Sequence, residues 1–228
     1  MSIDYNEEEA LPIDGEHGVC RSYNNLDALD IKTIEYATSL LYSSSKNIFA
    51  LDLGCSPYCP QGLRLAKQGC YVDAIDLNPP DKAFQSINQS FDKRISYLVK
   101  DLRELQASDL AHQYSLIYSN RCLCFMKHTH IRHLMKLLVE RSLSKTRFFI
   151  SFFTVDGHYA KGYPVNQALD ERFYRLTSDV AKRSSMTAPV CLYTKAEIYD
   201  EVLGELPITL IDEITASTGS LKLIFEKQ

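Results

Sequence analysis

The stretch FALDLGCSPYCPQGLRLAKQG, residues 49–69, decides how the rest of the chain is read. It opens on apolar, strand-forming residues, tightens at Gly54 and runs into a helical pattern closed by Gly69. A strand that turns directly into a helix offers backbone amides and a helix N-terminus to a ligand. Turns that hold a pyrophosphate need closely spaced glycines so that the backbone can approach the phosphates. Here Ser56 and Tyr58 stand where the second and third glycines would be, which disfavours NAD.

Outward from this turn, strand and helix patterns alternate. Residues 25–42 read as a helix with Leu26, Leu29, Ile34, Ala37, Leu40 and Leu41 on or near one face. Strands are expected at 48–54, 71–78, 95–101 and 114–120, with helices at 61–69 and 82–91. Residues 130–143 form a helix that turns Ile131, Leu134, Leu138 and Leu143 inward. RFFISFFTV, residues 147–155, is a continuous apolar run of the kind buried on both faces of a sheet. Alternation of this kind implies right-handed crossovers and a mostly parallel sheet. The ending changes rhythm: PITLIDEIT and SLKLIFEK, joined by a short polar link with Gly219, read as an antiparallel hairpin. The expected layout is a loose segment over 1–24, one α/β domain over 25–228 of five β/α units, and a helical insertion at 163–203 before the hairpin.

With 228 residues the chain can bury one substantial core. Its net charge of -4 argues against broad nucleic-acid affinity, although residues 127–147 carry a local excess of basic residues on a helix. No window approaches 18 consecutive apolar residues, so no transmembrane helix is expected, and the acidic start lacks the apolar core of a secretory signal. The spacings of Cys55/Cys59 and Cys122/Cys124 match no zinc pattern. The seven cysteines read as reduced thiols of a cytoplasmic protein.

Four segments then carry a resemblance. LDLGCSP, AIDLNP, VKDL and YSLIYSN, in that order, resemble the motifs of the class I S-adenosylmethionine (SAM)-dependent methyltransferases, over roughly residues 25–227. The resemblance implies that family's Rossmann-like fold: seven strands, mostly parallel, with an antiparallel C-terminal hairpin and helices on both faces. It also implies SAM as cofactor, S-adenosylhomocysteine (SAH) as product, and no metal.

Residue by residue, Asp52 would attract the cofactor's ammonium, Gly54 would leave room for the ligand, and the amides around Cys55 and Ser56 would face its carboxylate. Asp76, with Leu77 beside it, would accept from the ribose hydroxyls. Asp101 and Leu102 would receive the adenine, and Asn120 completes the cofactor set. The chemistry agrees with the turn, since SAM is an amino acid joined to a nucleoside and has no phosphate. The sequence departs from the family pattern at Ser56, normally glycine, and at bulky Tyr58. Either Tyr58 turns away from the ligand, or the turn takes another path through Pro57 and Pro60. A blocked pocket would make the domain an inactive binding module.

NPPD, residues 78–81, follows strand two and lacks an aromatic, so it reads as a strand terminator and not as the Asn-Pro-Pro-aromatic motif of amide methylation. His128, His130 and His133 lack a completing ligand set, and no metal site is assigned. Acceptor candidates are Arg21 and Tyr23, Arg121 beside Asn120, and His158, Tyr159 and Tyr163 after strand five. If a general base is used, it is His158. The expected activity is methyl transfer to a small-molecule acceptor. The other readings are an RNA or protein methyltransferase working through residues 127–147 and the inactive module.

Overall fold

The structure, a computed structural model, describes residues 26–184, 186–216 and 219–228, together with the backbone of a short antiparallel pair, β1 (Ala10–Pro12) and β2 (Val19–Arg21). Tyr23, and most of the segment expected to be loose, lie outside the described residues.

Helix α1 (Ala28–Ser43) starts later than hydrophobic spacing implied because Asp27 caps it. The Asp27 carboxylate accepts the amides of Leu29 and Asp30, and Asp30 returns a carboxylate to the Asp27 amide, a reciprocal capping box. β3 (Phe49–Leu53) leads through the turn to α2 (Pro60–Gln68), which begins at a proline, the residue best suited to a first helical position, and ends at left-handed Gly69. There follow β4 (Tyr71–Asp76), α3 (Lys82–Ser90), β5 (Ile95–Val99), β6 (Leu116–Ser119), α4 (His128–Arg141) and β7 (Arg147–Phe153). After these come α5 (Ser178–Ser184), α6 (Lys195–Glu197), β8 (Ile208–Thr215) and β9 (Ser220–Lys227).

The strands form one seven-stranded sheet in the order β5-β4-β3-β6-β7-β9-β8. The first five are parallel; β9 runs antiparallel to β7, and β8 antiparallel to β9. Side chains alternate across this sheet. Leu51 and Leu53 of β3, with Phe148, Ile150 and Phe152 of β7, pack under α4. Ala50 and Phe149 pack on the opposite face with Leu29, Leu65 and Phe84 of α1 to α3. The continuous apolar run of β7 is buried on both faces, as expected. Strand order reverses between β3 and β6, and such a switch point opens a crevice at the carboxyl edge of the sheet.

Three expectations are corrected. β5 is followed by two 3₁₀ turns, Leu102–Glu104 and Ala107–Asp109, and not by a helix. The segment 163–203 is only partly helical: α5 and α6, the latter continued by a π-helical turn at Ile198–Leu203, are separated by extended chain bridging Tyr174 to Val190 and Thr154 to Tyr193. Leu143 is exposed, because α4 ends at Arg141 before Leu143 can join its inner face.

Candidate functional site

The switch-point crevice is an open cleft lined by residues 54, 56, 76–78, 100–103, 120–122, 125 and 126. Every lining residue comes from the carboxyl end of β3, β4, β5 or β6 or from the turn that follows.

The turn after β3 is fixed by three hydrogen bonds. Gly54 N–H and Cys55 N–H both donate to Ile75 O, at 2.8 and 3.3 Å. Ser56 N–H donates to Asp76 Oδ2 at 2.9 Å. Gly54 has φ +69°, and a Cβ there would meet Cys122 Sγ at 2.3 Å. The glycine therefore admits the chain after β6 as well as leaving the cleft open. Ser56 is also left-handed, at φ 61°, a region that favours the glycine of the family pattern.

Asp52 does not reach the cleft. It is buried beneath the turn, where Cys59 Sγ–H approaches Oδ2 at 3.9 Å and the Gly62 amide donates to it. A Cβ on Gly62 would stand 2.3 Å from Cys59 Sγ, so this lid closes only over glycine. Burial, helped by the nearby Asp30 and Asp76, pushes the Asp52 carboxyl up to about 7 against the pull of the Gly62 amide and the Cys59 thiol.

Asp76 ends β4 and faces the cleft. Besides Ser56 it takes the Asn78 amide at 2.9 Å and Asn78 Nδ2 at 3.3 Å on Oδ1. Burial raises its pKa while these donors hold it down. Asn78 is steadied in turn by Tyr97, whose hydroxyl donates to Asn78 O at 2.9 Å. Asp101 caps the first 3₁₀ turn and is gripped by its neighbour: Arg103 Nε lies 2.9 Å from both carboxylate oxygens, which holds Asp101 below its ordinary pKa.

At the other end of the cleft, the chain after β6 meets a buried polar network. Asn120 Nδ2 donates to Asp27 Oδ2 at 2.8 Å. Lys222 Nζ lies 3.1 Å from the same oxygen and the Arg121 guanidinium 3.7 Å from it. Asp30, next to this group, accepts the hydroxyl of Tyr118. Asn120 Oδ1 is buried with no hydrogen-bond partner among the described residues. An acceptor left this way is expensive.

No family model matches the sequence, and no curated protein does. Solved structures do. The chain is similar to 1,6-didemethyltoxoflavin-N1-methyltransferase of Burkholderia thailandensis, solved with 1,6-didemethyltoxoflavin and SAH, at TM-score 0.56 and 20% identity over 87% of this chain and 81% of that one. It is similar to magnesium protoporphyrin IX methyltransferase of Synechocystis PCC 6803 with bound SAH, at TM-score 0.56 and 15% identity over 86% and 82%. A TehB-like SAM-dependent methyltransferase of Corynebacterium glutamicum matches at TM-score 0.51 and 16% identity over 84% and 87%. The chain has the SAM-dependent methyltransferase fold.

Within that methyltransferase fold, the cleft brings together Gly54, Ser56, Asp76, Leu77, Asp101, Leu102, Asn120 and Arg121 of the residues singled out from sequence. It does not bring in Asp52, nor Cys55, which is buried in the core with its thiol pKa raised by burial. The Cys55 and Ser56 amides are already spent on Ile75 and Asp76. Tyr163 is a packing residue: its buried hydroxyl donates to Val190 O at 2.7 Å and lies 3.1 Å from Arg172 O. His158 is exposed, tilted against the Tyr159 ring, and is not in the cleft wall. Tyr58 is exposed and outside the wall as well.

Sequence reasoning missed Asn78, Lys100, Arg103, Cys122, Phe125 and Met126 in the wall, and Asp27 and Lys222 behind it. Lys222 left one signal, a lone cation inside an apolar strand pattern. Among the described residues, no group of three His, Cys, Asp or Glu is placed to hold a metal, and no helix is long and apolar enough to cross a membrane.

Proposed function

We propose that this chain is a SAM-dependent methyltransferase acting on a small-molecule acceptor. The observation that carries the reading is the cleft itself: it lies at the switch point of a fold that holds SAH in the Burkholderia and Synechocystis enzymes. It also has a carboxylate at the end of β4 and another after β5.

In this reading Asp76 takes the ribose hydroxyls beside Leu77, while Leu102 and Asp101 take the adenine once Arg103 shares or releases the carboxylate. The turn at 54–56 packs along the amino-acid portion of the cofactor. The cofactor supplies an electrophilic methyl group, and transfer is an in-line displacement that depends on alignment. Among the described residues no histidine lines the cleft, and its two carboxylates already have donors. The site therefore suits an acceptor that is nucleophilic without help from a strong base. Both solved relatives named above with SAH act on small molecules by their names, which favours the same acceptor class here. The described cysteines are all free thiols, in keeping with a cytoplasmic setting.

Two observations weigh against the other readings. Part of the basic segment 127–147 is offset by acids from the C-terminal part of the chain: Arg132 pairs with Glu205, and Lys145 and Arg147 with Glu226. Three of its six basic residues are so engaged, which reduces the charge it offers to RNA phosphates. Tyr58 stands outside the wall, so the blocked-pocket reading loses its premise.

The test is calorimetric titration with SAM and SAH, with NAD as control and Asp76→Ala as the site variant. Binding of both SAM and SAH, lost in the folded variant and absent for NAD, is the expected result. Folded protein that binds neither SAM nor SAH would overturn the proposal.

A further inference from the structure

Tyr97 is not in the cleft wall and belongs to none of the sequence motifs, yet its hydroxyl holds the two turns that frame Asp76. It donates to Asn78 O at 2.9 Å and lies 3.3 Å from Ser56 O. The amides of the same two residues bind the carboxylate. Ser56 N–H donates to Asp76 Oδ2 and Asn78 N–H to Oδ1, each at 2.9 Å. One residue of the turn after β3 and one of the turn after β4 are thus shared between a phenol and a carboxylate.

The torsion that orients a carboxyl group is soft. Here each oxygen of Asp76 is tied to one backbone amide, so the carboxylate holds its direction only as long as both turns hold still. Oδ1 also receives Asn78 Nδ2 at a longer 3.3 Å, a side-chain contact that an incoming hydroxyl can displace. With one amide met, each oxygen keeps a further acceptor site, and the residue is partly exposed in the cleft. Two adjacent hydroxyls need both oxygens presented together. The two turns are loop backbone, and Ser56 is in the left-handed region. Tyr97 is held by the sheet: β5 pairs it with Ala74 of β4, and its ring lies 5.5 Å from that of Phe84. A strand-borne hydroxyl therefore lends the precision of the sheet to two loops.

We propose that Tyr97 is a positioning residue that clasps the Ser56 and Asn78 carbonyls, fixes the Asp76 carboxylate, and so sets how sharply this protein reads the vicinal hydroxyls of the cofactor's ribose. This rests on the methyltransferase reading with Asp76 as the ribose acceptor. It adds a residue outside the cleft wall on which that acceptor's geometry depends.

The test compares SAH with its 2′-deoxy analogue, each titrated into the full chain, with thermal melts to confirm folding. The variant Tyr97→Phe keeps the ring on Phe84 and removes only the hydroxyl. In the parent, SAH is expected to bind about 10-fold or more tightly than the analogue, as for a hydrogen bond to a charged group. In Tyr97→Phe the ratio should fall to about 3-fold or less through weaker SAH, with the analogue held within about 2-fold. Adding Tyr97→Phe to Asp76→Asn should weaken SAH no further, because no carboxylate remains to be oriented.

A parent-like ratio in folded Tyr97→Phe would overturn the inference while leaving the cofactor site intact. A further loss of SAH in the double variant would show Tyr97 acting apart from Asp76 and would overturn it as well. Parent protein that binds the two ligands equally would remove Asp76 from the ribose, and the inference with it. Parent protein that binds neither would overturn the methyltransferase reading itself.

Discussion

Asp76, the last residue of β4, accepts the backbone amide of Ser56 at 2.9 Å, so the carboxylate that faces the cleft also fixes the turn after β3. The two tasks are separable by chemistry. Asp76→Asn keeps one acceptor oxygen and replaces the other with an NH2 that cannot accept, so the Ser56 and Asn78 amides, which use different oxygens, cannot both be met. Leaving one of them unmet should cost about 1–3 kcal/mol. For a chain of this length a melting temperature lower by roughly 2–10 °C is expected, with weaker SAH binding; an unchanged melt would show that the turn does not depend on this carboxylate.

Ser56 itself is strained. Its φ of 61° places a side chain where glycine is at ease, at a cost of about 1–2 kcal/mol for an L-residue. Ser56→Gly should therefore stabilise the protein by about 0.5–1 kcal/mol, the remainder being lost to the freedom glycine gains in the unfolded chain. Chemical denaturation would register this, and a loss of stability would mean that the serine side chain supports the turn.

The strands, their order of appearance and the terminal hairpin were legible because apolar runs of strand length alternate with helical spacing and end at Gly69, Pro79 or Gly219. Asp76 and Asp101 were legible because they end strands that must point at the crevice. Asp52 looked the same in sequence, but Cys59 and Gly62 of the following helix close over it, and residue order does not record that closure. Tyr163 looked like a ligand-facing aromatic because its partners, the carbonyls of Arg172 and Val190, are backbone atoms that any sequence would offer. The Asp27–Lys222 pair joins the first helix to the last strand, and one sequence carries no mark of so distant a contact.

Gly54 is required twice over, by its φ of +69° and by the 2.3 Å approach of Cys122 Sγ to the place a Cβ would occupy. Gly54→Ala should cost about 2–4 kcal/mol, combining overpacking with left-handed strain. Removing the opposing side chain with Cys122→Gly in the same protein should recover the packing part and leave the strain. A double variant no more stable than Gly54→Ala would place the clash elsewhere.

The segment between β7 and β8 hangs on Arg172. Its buried guanidinium pairs with Glu197 at 2.7 and 2.9 Å and donates to Gln167 O and Leu192 O. Arg172→Met leaves Glu197 and two carbonyls without their donor, a change of about 3–5 kcal/mol for a broken buried pair. Because the bonds lie within one segment, cleavage by a protease at low concentration should rise first between residues 155 and 195. Cleavage spread evenly over the chain would show that this segment does not open by itself.

Asp52 gives the clearest dependence on pH. Burial holds its carboxyl at about 7 in the folded protein, against about 3.9 in an unfolded chain. Between those values the folded state keeps a proton that the unfolded state has released, so stability falls as pH rises. This contribution is complete below about pH 4 and gone above about pH 7. At 1.36 kcal/mol per unit the ceiling is about 4 kcal/mol. Asp52→Asn is neutral at every pH and escapes the loss. The melting temperature of the variant minus that of the parent should therefore grow from pH 5 to about pH 7 and level off beyond. Any fixed cost of the amide shifts this curve up or down without changing its slope. Parallel melting curves across that range would mean that Asp52 is ionised throughout, which would require a cation or further donors beneath the turn to stabilise it.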